Sequence, residues 1–164
     1  MDERPHQLTS EASSLNGCKV LIVDDEADFL ETLIKRLRRR RIDVQAAGSA
    51  QQALAVLEND PIDVVVLDVR MPQMDGIRLL ARIKQLHGAI EVIMLTGHAS
   101  LEAAVEGMGL GAFDYLMKPV DIDELIYKLQ DAYQKRRLLE KKPSRQRPDG
   151  MQGESIPGQG ESVP

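Results

Sequence analysis

Aromatic residues and cysteines are scarce in this sequence of 164 residues. It contains no Trp, two Phe and three Tyr, so that only 3% of its residues are aromatic. A core must therefore be built from Val, Ile, Leu, Met and Ala, within a hydrophobic fraction of 43%. Cys18 is the single cysteine, which excludes an internal disulfide. We expect it to be a small buried residue in a reducing compartment.

Long apolar runs and an excess of positive charge are also missing. No stretch approaches the roughly 20 residues of a membrane-spanning helix, and residues 1–16 lack the apolar centre of a secretory signal. The formal net charge is −5 at pH 7, whereas a general nucleic-acid-binding domain is usually basic. These absences predict a cytoplasmic protein that binds neither membranes nor nucleic acid directly.

Composition divides the chain into one folded unit with a polar segment on each side. Residues 1–17 are polar and without period, which predicts a flexible leader. Residues 141–164 are rich in Pro, Gly, Ser and Gln, which predicts a disordered tail. The folded unit then spans residues 18–140, and nothing after it has the composition of an output domain. The polar tail favours a natural end of the chain, and a fragment of a larger protein is the alternative.

Short apolar runs alternate with amphipathic stretches through the folded unit. The runs predict strands at residues 19–23, 42–46, 62–67, 90–95 and 112–117, and the stretches between and after them have apolar residues at helical spacing. Such alternation predicts an α/β fold, a doubly wound parallel sheet with helices on both faces. Right-handed crossovers favour the strand order 2-1-3-4-5, with the switch point between strands 1 and 3.

Polar residues follow four of these runs at the point where each strand ends. They are Asp24 and Asp25, Asp68, Thr96 and Lys118. Because ligands bind at the carboxyl edge of such sheets, we expect these side chains to lie close together. Each one alone has an ordinary explanation, such as a helix cap for an Asp. Their occurrence together at four strand ends predicts a functional site.

Three carboxylates at one point predict a metal site. Crowded anions repel one another, and a hard cation such as Mg²⁺ removes that conflict. Asp25 and Asp68 are the expected direct ligands, and Asp24 binds directly or through water. The backbone carbonyl of Arg70 is suited to complete the set.

Asp68 has a second candidate role, as a nucleophile. A carboxylate can attack phosphorus and form an aspartyl-phosphate. Lys118 would then pair with one phosphoryl oxygen, and Thr96 would donate a hydrogen bond to another. Gly97 leaves room for the phosphoryl group to approach the backbone.

Four motifs together resemble the receiver domain of bacterial two-component response regulators. They stand at residues 21–26 (Leu-Ile-Val-Asp-Asp-Glu), 67–76 (Leu-Asp-Val-Arg-Met-Pro-Gln-Met-Asp-Gly), 95–97 (Leu-Thr-Gly) and 115–119 (Tyr-Leu-Met-Lys-Pro). The resemblance covers about residues 19–137. Receiver domains have the flavodoxin-like (βα)5 fold, and a chemotaxis member of the family exemplifies the order 2-1-3-4-5. The predicted order is therefore partly taken from the family.

The resemblance implies a phosphorelay function rather than an enzyme. Asp68 would accept a phosphoryl group from a sensor histidine kinase or phosphotransfer protein, with Mg²⁺ held by Asp24, Asp25 and Asp68. Thr96 and Tyr115 would form a switch that alters a surface for a downstream target protein. Dimerisation on phosphorylation, the cognate kinase and the target are left open.

The resemblance also bears on three positions around these motifs. It implies a cis peptide bond between Lys118 and Pro119. Arg70 and His98 occupy positions that vary across the family and tune the lifetime of the phosphoryl group, so the lifetime stays open.

His87 and His98 have no partners at metal-binding spacing and are interpreted as surface residues.

A metal-dependent phosphohydrolase of the haloacid dehalogenase type is the main alternative. It also uses a nucleophilic Asp at a strand end, but it needs a second Asp two residues later. Asp68 is followed there by Arg70, and Asp24 by Glu26. A nucleotide-binding module is a third hypothesis, which would need a Gly-rich turn after strand 1.

Two basic runs lie outside the predicted site. Residues 35–41 suit the end of a helix, where cations complement the dipole, and a docking patch for an acidic partner is the alternative. Residues 135–142 contain Leu138 and Leu139 and suit the solvated end of the last helix. A short dimerising extension, or a stub that leads to an output domain, is the other interpretation.

Overall fold

The computed structural model of the protein describes residues 14–71, 75–97 and 101–140. Within them, strands and helices alternate as β1 (Lys19–Val23), α1 (Ala27–Arg39), β2 (Asp43–Ala47), α2 (Ala50–Asn59), β3 (Val64–Asp68), α3 (Gly76–Leu86), β4 (Glu91–Thr96), α4 (Leu101–Gly109), β5 (Asp114–Met117) and α5 (Ile122–Glu140). The predicted leader up to residue 13, the predicted tail, residues 72–74 and His98 lie outside the described residues.

The strands form one parallel sheet in the order β2-β1-β3-β4-β5, which confirms the predicted topology. β1 pairs with β2 on one side and with β3 on the other, so the switch point lies between β1 and β3. In the next ladders Asp68 is opposite Leu95, and Thr96 is opposite Met117. This register brings the last residues of the strands to one edge.

Both faces of the sheet are covered, as the apolar character of β3 predicts. All five residues of β3 are buried, and Val dominates them, a pattern typical of a strand with helices on both sides. One core cluster lies under α2, α3 and α4 and includes Leu57, Leu80 and Ile83. The other lies under α1 and α5 and includes Leu37 and Leu125.

Local signals in the sequence explain where several elements begin. Ser49 caps α2, since its side chain accepts a hydrogen bond from the Gln52 N–H at 3.1 Å, and Asp75 caps α3 in the same way. The third and fifth strands begin two residues later than predicted, at Val64 and Asp114. Ile62 and Ala112 are buried outside the ladder, and Phe113 is half-buried, because an apolar pattern indicates burial rather than pairing.

Within the described residues, the buried core begins before the predicted start of the folded unit. Leu15 is buried in the cluster under α1 and α5, and its carbonyl accepts a hydrogen bond from the Cys18 N–H at 2.9 Å. Cys18 is fully buried, as predicted, and burial raises the pKa of its thiol to about 12. A thiol in this state is unreactive.

Helix α5 continues beyond the core. Its buried residues end at Ala132, whereas Leu138 and Leu139 are exposed in its last turns. This exposure fits the prediction of a solvated helix end. Across the described ranges, no helix combines the length and the apolar character that crossing a membrane requires.

Candidate functional site

The predicted site residues meet at the carboxyl edge of the sheet. Asp24 and Asp25 follow β1, Asp68 ends β3, Thr96 ends β4, and Lys118 follows β5. The Lys118 Nζ lies 2.9 Å from the Asp24 Oδ2 and 3.8 Å from the Asp68 Oδ1. Residues that are 94 positions apart in sequence, Asp24 and Lys118, are thus in direct contact.

The three carboxylates form a group that could hold a metal ion. Asp24, Asp25 and Asp68 each offer one oxygen, and these atoms lie within 4.8 Å of one another. Asp24 and Asp68 are buried, whereas Asp25 is exposed. A cation could therefore be held by buried ligands on one side and reached from solvent on the other.

Asp24 is held in place by two hydrogen bonds. Its Oδ1 accepts the backbone N–H of Glu26 at 2.9 Å, and its Oδ2 accepts the Lys118 ammonium at 2.9 Å. Both bonds go to a carboxylate with no exposed surface, and buried polar groups are stable when they are paired in this way. Asp24 therefore anchors Lys118 at the centre of the site.

Asp68 carries negative charge that its surroundings only partly balance. Burial and the charge of Asp24 raise the pKa of its carboxyl to about 6, with a smaller contribution from Asp25. Lys118 and the Arg70 N–H, which donates to the Asp68 Oδ1 at 3.3 Å, act in the opposite direction. The excess of negative charge makes the group suitable for a divalent cation.

Lys118 remains a cation in this environment. Burial lowers its pKa, but the hydrogen bond to Asp24 and the charges of Asp24, Asp68 and Glu26 outweigh burial, so the pKa stands above its ordinary value. The Nζ also lies 4.4 Å from the centroid of the Phe29 ring. The peptide bond from Lys118 to Pro119 is cis, which confirms the expectation from the family resemblance.

Thr96 is the last residue of β4, and Tyr115 lies on the neighbouring strand β5, opposite Met94. Thr96 is buried, and its hydroxyl donates to the Gly97 carbonyl at 3.0 Å. The Lys118 N–H donates to the Thr96 carbonyl at 2.8 Å, which ties the two strand ends together. Tyr115 is half-buried against the core cluster under α2, α3 and α4.

Gly76 fixes the loop that follows Asp68. Its N–H donates to the Val69 carbonyl at 2.8 Å. A Cβ at this position would lie 2.7 Å from the Val69 Cα and carbonyl oxygen, and it would also overlap the Asp68 carbonyl. The backbone around Asp68 therefore requires a glycine, which gives a structural reason for the last residue of the second motif.

Sequence reasoning did not predict two neighbours of Lys118. Phe29 fits the apolar helical spacing of α1 and so suggests only a core residue, and Glu26, whose Oε1 lies 3.6 Å from the Lys118 Nζ, stands in the first motif with no predicted contact. A signal was present, since Phe29 lies in the first turn of the helix that directly follows Asp24, Asp25 and Glu26. Its contact with Lys118 depends on β5, which no local pattern encodes.

Comparison with known proteins identifies similar domains. The model of the response regulator receiver domain matches residues 20–130. The transcriptional regulatory protein ZraR of Escherichia coli strain K12 is 42% identical over 113 residues, which cover 69% of this chain and 26% of ZraR. The response regulator protein PilR of Pseudomonas aeruginosa is 39% identical over 107 residues, or 65% of this chain and 24% of PilR.

Solved structures give the same result. The crystal structure of a response regulator receiver domain protein from Clostridium thermocellum has a TM-score of 0.71 and 36% identity, and the match covers 74% of this chain and 98% of that one. The chain spans about a quarter of the length of the curated relatives it matches. These similarities give no support to the phosphohydrolase alternative.

Proposed function

Because the chain belongs to the response regulator receiver domain family, we propose that Asp68 accepts the phosphoryl group and that Lys118 and Thr96 bind it. The family and the relatives make the domain a phosphoacceptor of two-component signalling. The observation that carries the assignment to Asp68 is its place in the acidic group. It is a buried carboxylate at the end of β3, 3.8 Å from the Lys118 Nζ.

The proposed reaction is a transfer between two side chains. An oxygen of Asp68 attacks the phosphorus of a phosphohistidine on a sensor histidine kinase or phosphotransfer protein. The P–O bond forms as the P–N bond breaks, and the histidine leaves with its electron pair. A pKa of about 6 leaves most of the Asp68 carboxyl ionised at pH 7, which an attacking carboxylate requires.

The proposed cofactor is Mg²⁺, held by Asp24, Asp25, Asp68 and the backbone carbonyl of Arg70. The donor set supports this choice, because Mg²⁺ prefers oxygen ligands and typically takes one or two carboxylates together with phosphate. When bound, the ion neutralises charge on the carboxylates and on the phosphoryl oxygens. Lys118 supplies a second positive charge on the side of β5.

Replacement of Asp25 tests the metal site. Asp25→Ala removes one of three carboxylates, so we expect Mg²⁺ affinity to fall at least about 10-fold, the lower end of the loss typical for altered metal shells. Binding is measured by calorimetric titration of the purified protein. Asp28→Ala is the matched control, because Asp28 is an exposed acid in the first turn of α1 outside the acidic group. Equal affinity of the wild type and Asp25→Ala would refute the site.

Thr96 and Tyr115 are the proposed switch, and a downstream protein is the proposed target. A phosphoryl group brings up to about two negative charges and new acceptor oxygens, so the Thr96 hydroxyl could leave Gly97 for the phosphoryl group. Apolar side chains are exposed on or next to α4, at Leu101, Val105, Met108 and Leu110. A rearrangement there would alter a surface suited to protein contact.

Direct action on nucleic acid is not part of the proposal. ZraR is named a transcriptional regulator, but this chain corresponds to about a quarter of it. The described domain offers an acidic site and an apolar α4 surface, and the chain carries a net charge of −5. These features favour protein partners.

Labelling by a small phosphodonor tests the proposed function. The wild-type protein with acetyl phosphate and Mg²⁺ should gain one acid-stable but hydroxylamine-labile phosphoryl group, as an acyl phosphate does. Asp68→Asn should gain none, and Asp28→Asn should label like the wild type. Undiminished labelling of Asp68→Asn would refute the assignment. Sustained turnover of p-nitrophenyl phosphate would favour a hydrolase instead.

A further inference from the structure

The side chain of Phe29 lies against the ammonium group of Lys118. Phe29 is the third residue of α1 and packs on the core cluster under α1 and α5. The Lys118 Nζ is 4.4 Å from the centroid of its ring. Cation–π attraction operates within about 6 Å of a ring centroid, so this contact falls well inside the effective range.

The ring complements an incomplete set of polar partners around Lys118. One carboxylate oxygen, on Asp24, lies at hydrogen-bonding distance from the Nζ. Oxygens of Glu26 and Asp68 lie at 3.6 and 3.8 Å, beyond a normal hydrogen bond. The side chain is 21% exposed, so protein rather than water forms most of its surroundings. The ring therefore adds an attraction to the ammonium beyond that of the carboxylates.

An aromatic ring differs from a further carboxylate in two respects that matter here. It attracts the cation without adding negative charge, whereas another acid would repel an incoming phosphoryl group that carries up to about two negative charges. Its attraction also has no fixed hydrogen-bond direction. The Nζ can thus stay over the ring while it turns from Asp24 toward a group on Asp68.

We propose that Phe29 is a positioning residue, whose ring face holds the Lys118 ammonium within reach of Asp68 and of the phosphoryl group that Asp68 receives. The inference rests on the proposed function of Asp68 and Lys118. It adds a role for an apolar residue that a hydrophobic pattern assigns only to the core. The ring acts through Lys118 and does not itself contact the reacting atoms.

Three variants separate attraction to the ring from simple packing. Phe29→Leu keeps an apolar side chain but removes the aromatic face, and Phe29→Tyr keeps the face. Phe113→Leu is the matched control, since Phe113 is the other phenylalanine of the chain and packs on the same cluster. Its ring lies 5.7 Å from the Nζ of Lys135, which pairs with Glu91 at the start of β4 rather than with the acidic group.

The rate constant for labelling by acetyl phosphate is the first measurement. Phe29→Leu should lower it by between about 2-fold and 30-fold, the range that one cation–π contact can account for. Phe29→Tyr should stay within about 2-fold of the wild type, and Phe113→Leu should not change it. Site-specific replacement of Phe29 by phenylalanines of increasing fluorination should lower the rate stepwise, because fluorine weakens the ring quadrupole while packing is nearly conserved.

A second measurement does not depend on phosphorylation. In NMR spectra, the ε-methylene protons of Lys118 should be displaced by the ring current in the wild type and Phe29→Tyr, and this displacement should be lost in Phe29→Leu. Equal labelling rates for the wild type, Phe29→Leu and the fluorinated proteins, or an undisplaced Lys118 resonance in the wild type, would overturn the inference. If Asp68→Asn labelled like the wild type, the proposed function itself would fail.

Discussion

At the scale of single residues, the shifted pKa of Asp68 makes one contribution to the pH dependence of the stability of the metal-free domain. Its pKa in the folded protein is about 6, against an ordinary value of 3.8. Between these two values the folded state binds more protons than the unfolded state, so stability falls as the pH rises through this window. The negative charge that would help to bind a cation and attack phosphorus therefore destabilises the protein that carries it.

Asp68→Asn should stabilise the metal-free domain near pH 8. Because the amide removes the unbalanced charge, the free energy of unfolding should rise by about 3 kcal/mol, and the difference should vanish below about pH 4. Urea unfolding in the presence of a chelator, from pH 4 to pH 8, measures this. A difference that is independent of pH, or a less stable variant at pH 8, would contradict the charge balance described for the site.

Lys118 stabilises the folded protein, whereas the charge of Asp68 destabilises it. The reason is that Lys118 pairs with Asp24, a carboxylate that has no exposed surface. Lys118→Met leaves Asp24 the hydrogen bond from the Glu26 N–H but removes the bond from the ammonium, and it should lower the free energy of unfolding by about 2–3 kcal/mol at pH 7. The double variant Asp24→Asn with Lys118→Met should recover part of that loss. Chemical unfolding provides both values.

Lys35→Met is a suitable comparison for the Lys118 variant. Lys35 pairs with Glu31 on the surface of α1, and both side chains are 66% exposed. Its loss should change stability by less than about 0.5 kcal/mol, since exposed pairs contribute little. Similar effects of the two lysine variants would show that burial of Asp24 is not decisive.

At the scale of secondary-structure elements, the carboxyl end of β3 and the start of α3 are packed backbone against backbone. Gly76→Ala should lower the free energy of unfolding by about 1–3 kcal/mol, because the new Cβ would press on the backbone of Val69 and Asp68. It should also slow labelling of Asp68, since the loop must move to make room. Urea unfolding and the acetyl phosphate assay measure the two effects.

Gly109→Ala is the matched control for this change. Gly109 is the last residue of α4, and an added Cβ there meets no atom within 4 Å. Alanine is the better helix former, so this variant should be unchanged or more stable by up to about 1 kcal/mol. If Gly76→Ala were equally harmless, the close approach around Asp68 would not constrain the site.

Elements were more predictable from sequence than their exact ends. The alternation of apolar runs and helical stretches, together with the family resemblance, was sufficient for the order of strands. At residues 62 and 112 the apolar pattern continues past the hydrogen-bonded ladder, because burial extends further than pairing. Strand ends depend on the neighbouring strand, which local composition does not describe.

At the scale of the whole molecule, the sequence was enough to predict that the site residues lie at the carboxyl edge of the sheet. It was not enough to predict which of their side chains are in contact. The rule that ligands bind at the carboxyl ends of parallel strands was enough to bring Asp24, Asp25, Asp68, Thr96 and Lys118 together. It did not indicate that Lys118 would pair with Asp24 more closely than with Asp68, or lie over Phe29. Those contacts depend on how the residues that follow β5 meet the end of β1 and the first turn of α1.

A group of charged residues at the amino end of β4 shows the same limit of prediction from sequence. Glu91 begins β4 and is 1% exposed, although nothing in its local sequence indicates a buried charge. Its carboxylate lies 3.5 Å from the Lys135 Nζ and 4.0 Å from the Lys84 Nζ. Because the three residues belong to β4, α5 and α3, their association is a property of the complete fold.

The chemical position of the phosphoryl group tests the central claim most directly. The protein is treated with acetyl phosphate and Mg²⁺, reduced with borohydride, which converts an aspartyl-phosphate to homoserine, and digested for peptide mass spectrometry. Homoserine at position 68, absent when Mg²⁺ is chelated, is the predicted result. Homoserine at another position, or a phosphoryl group that resists borohydride, would contradict the account.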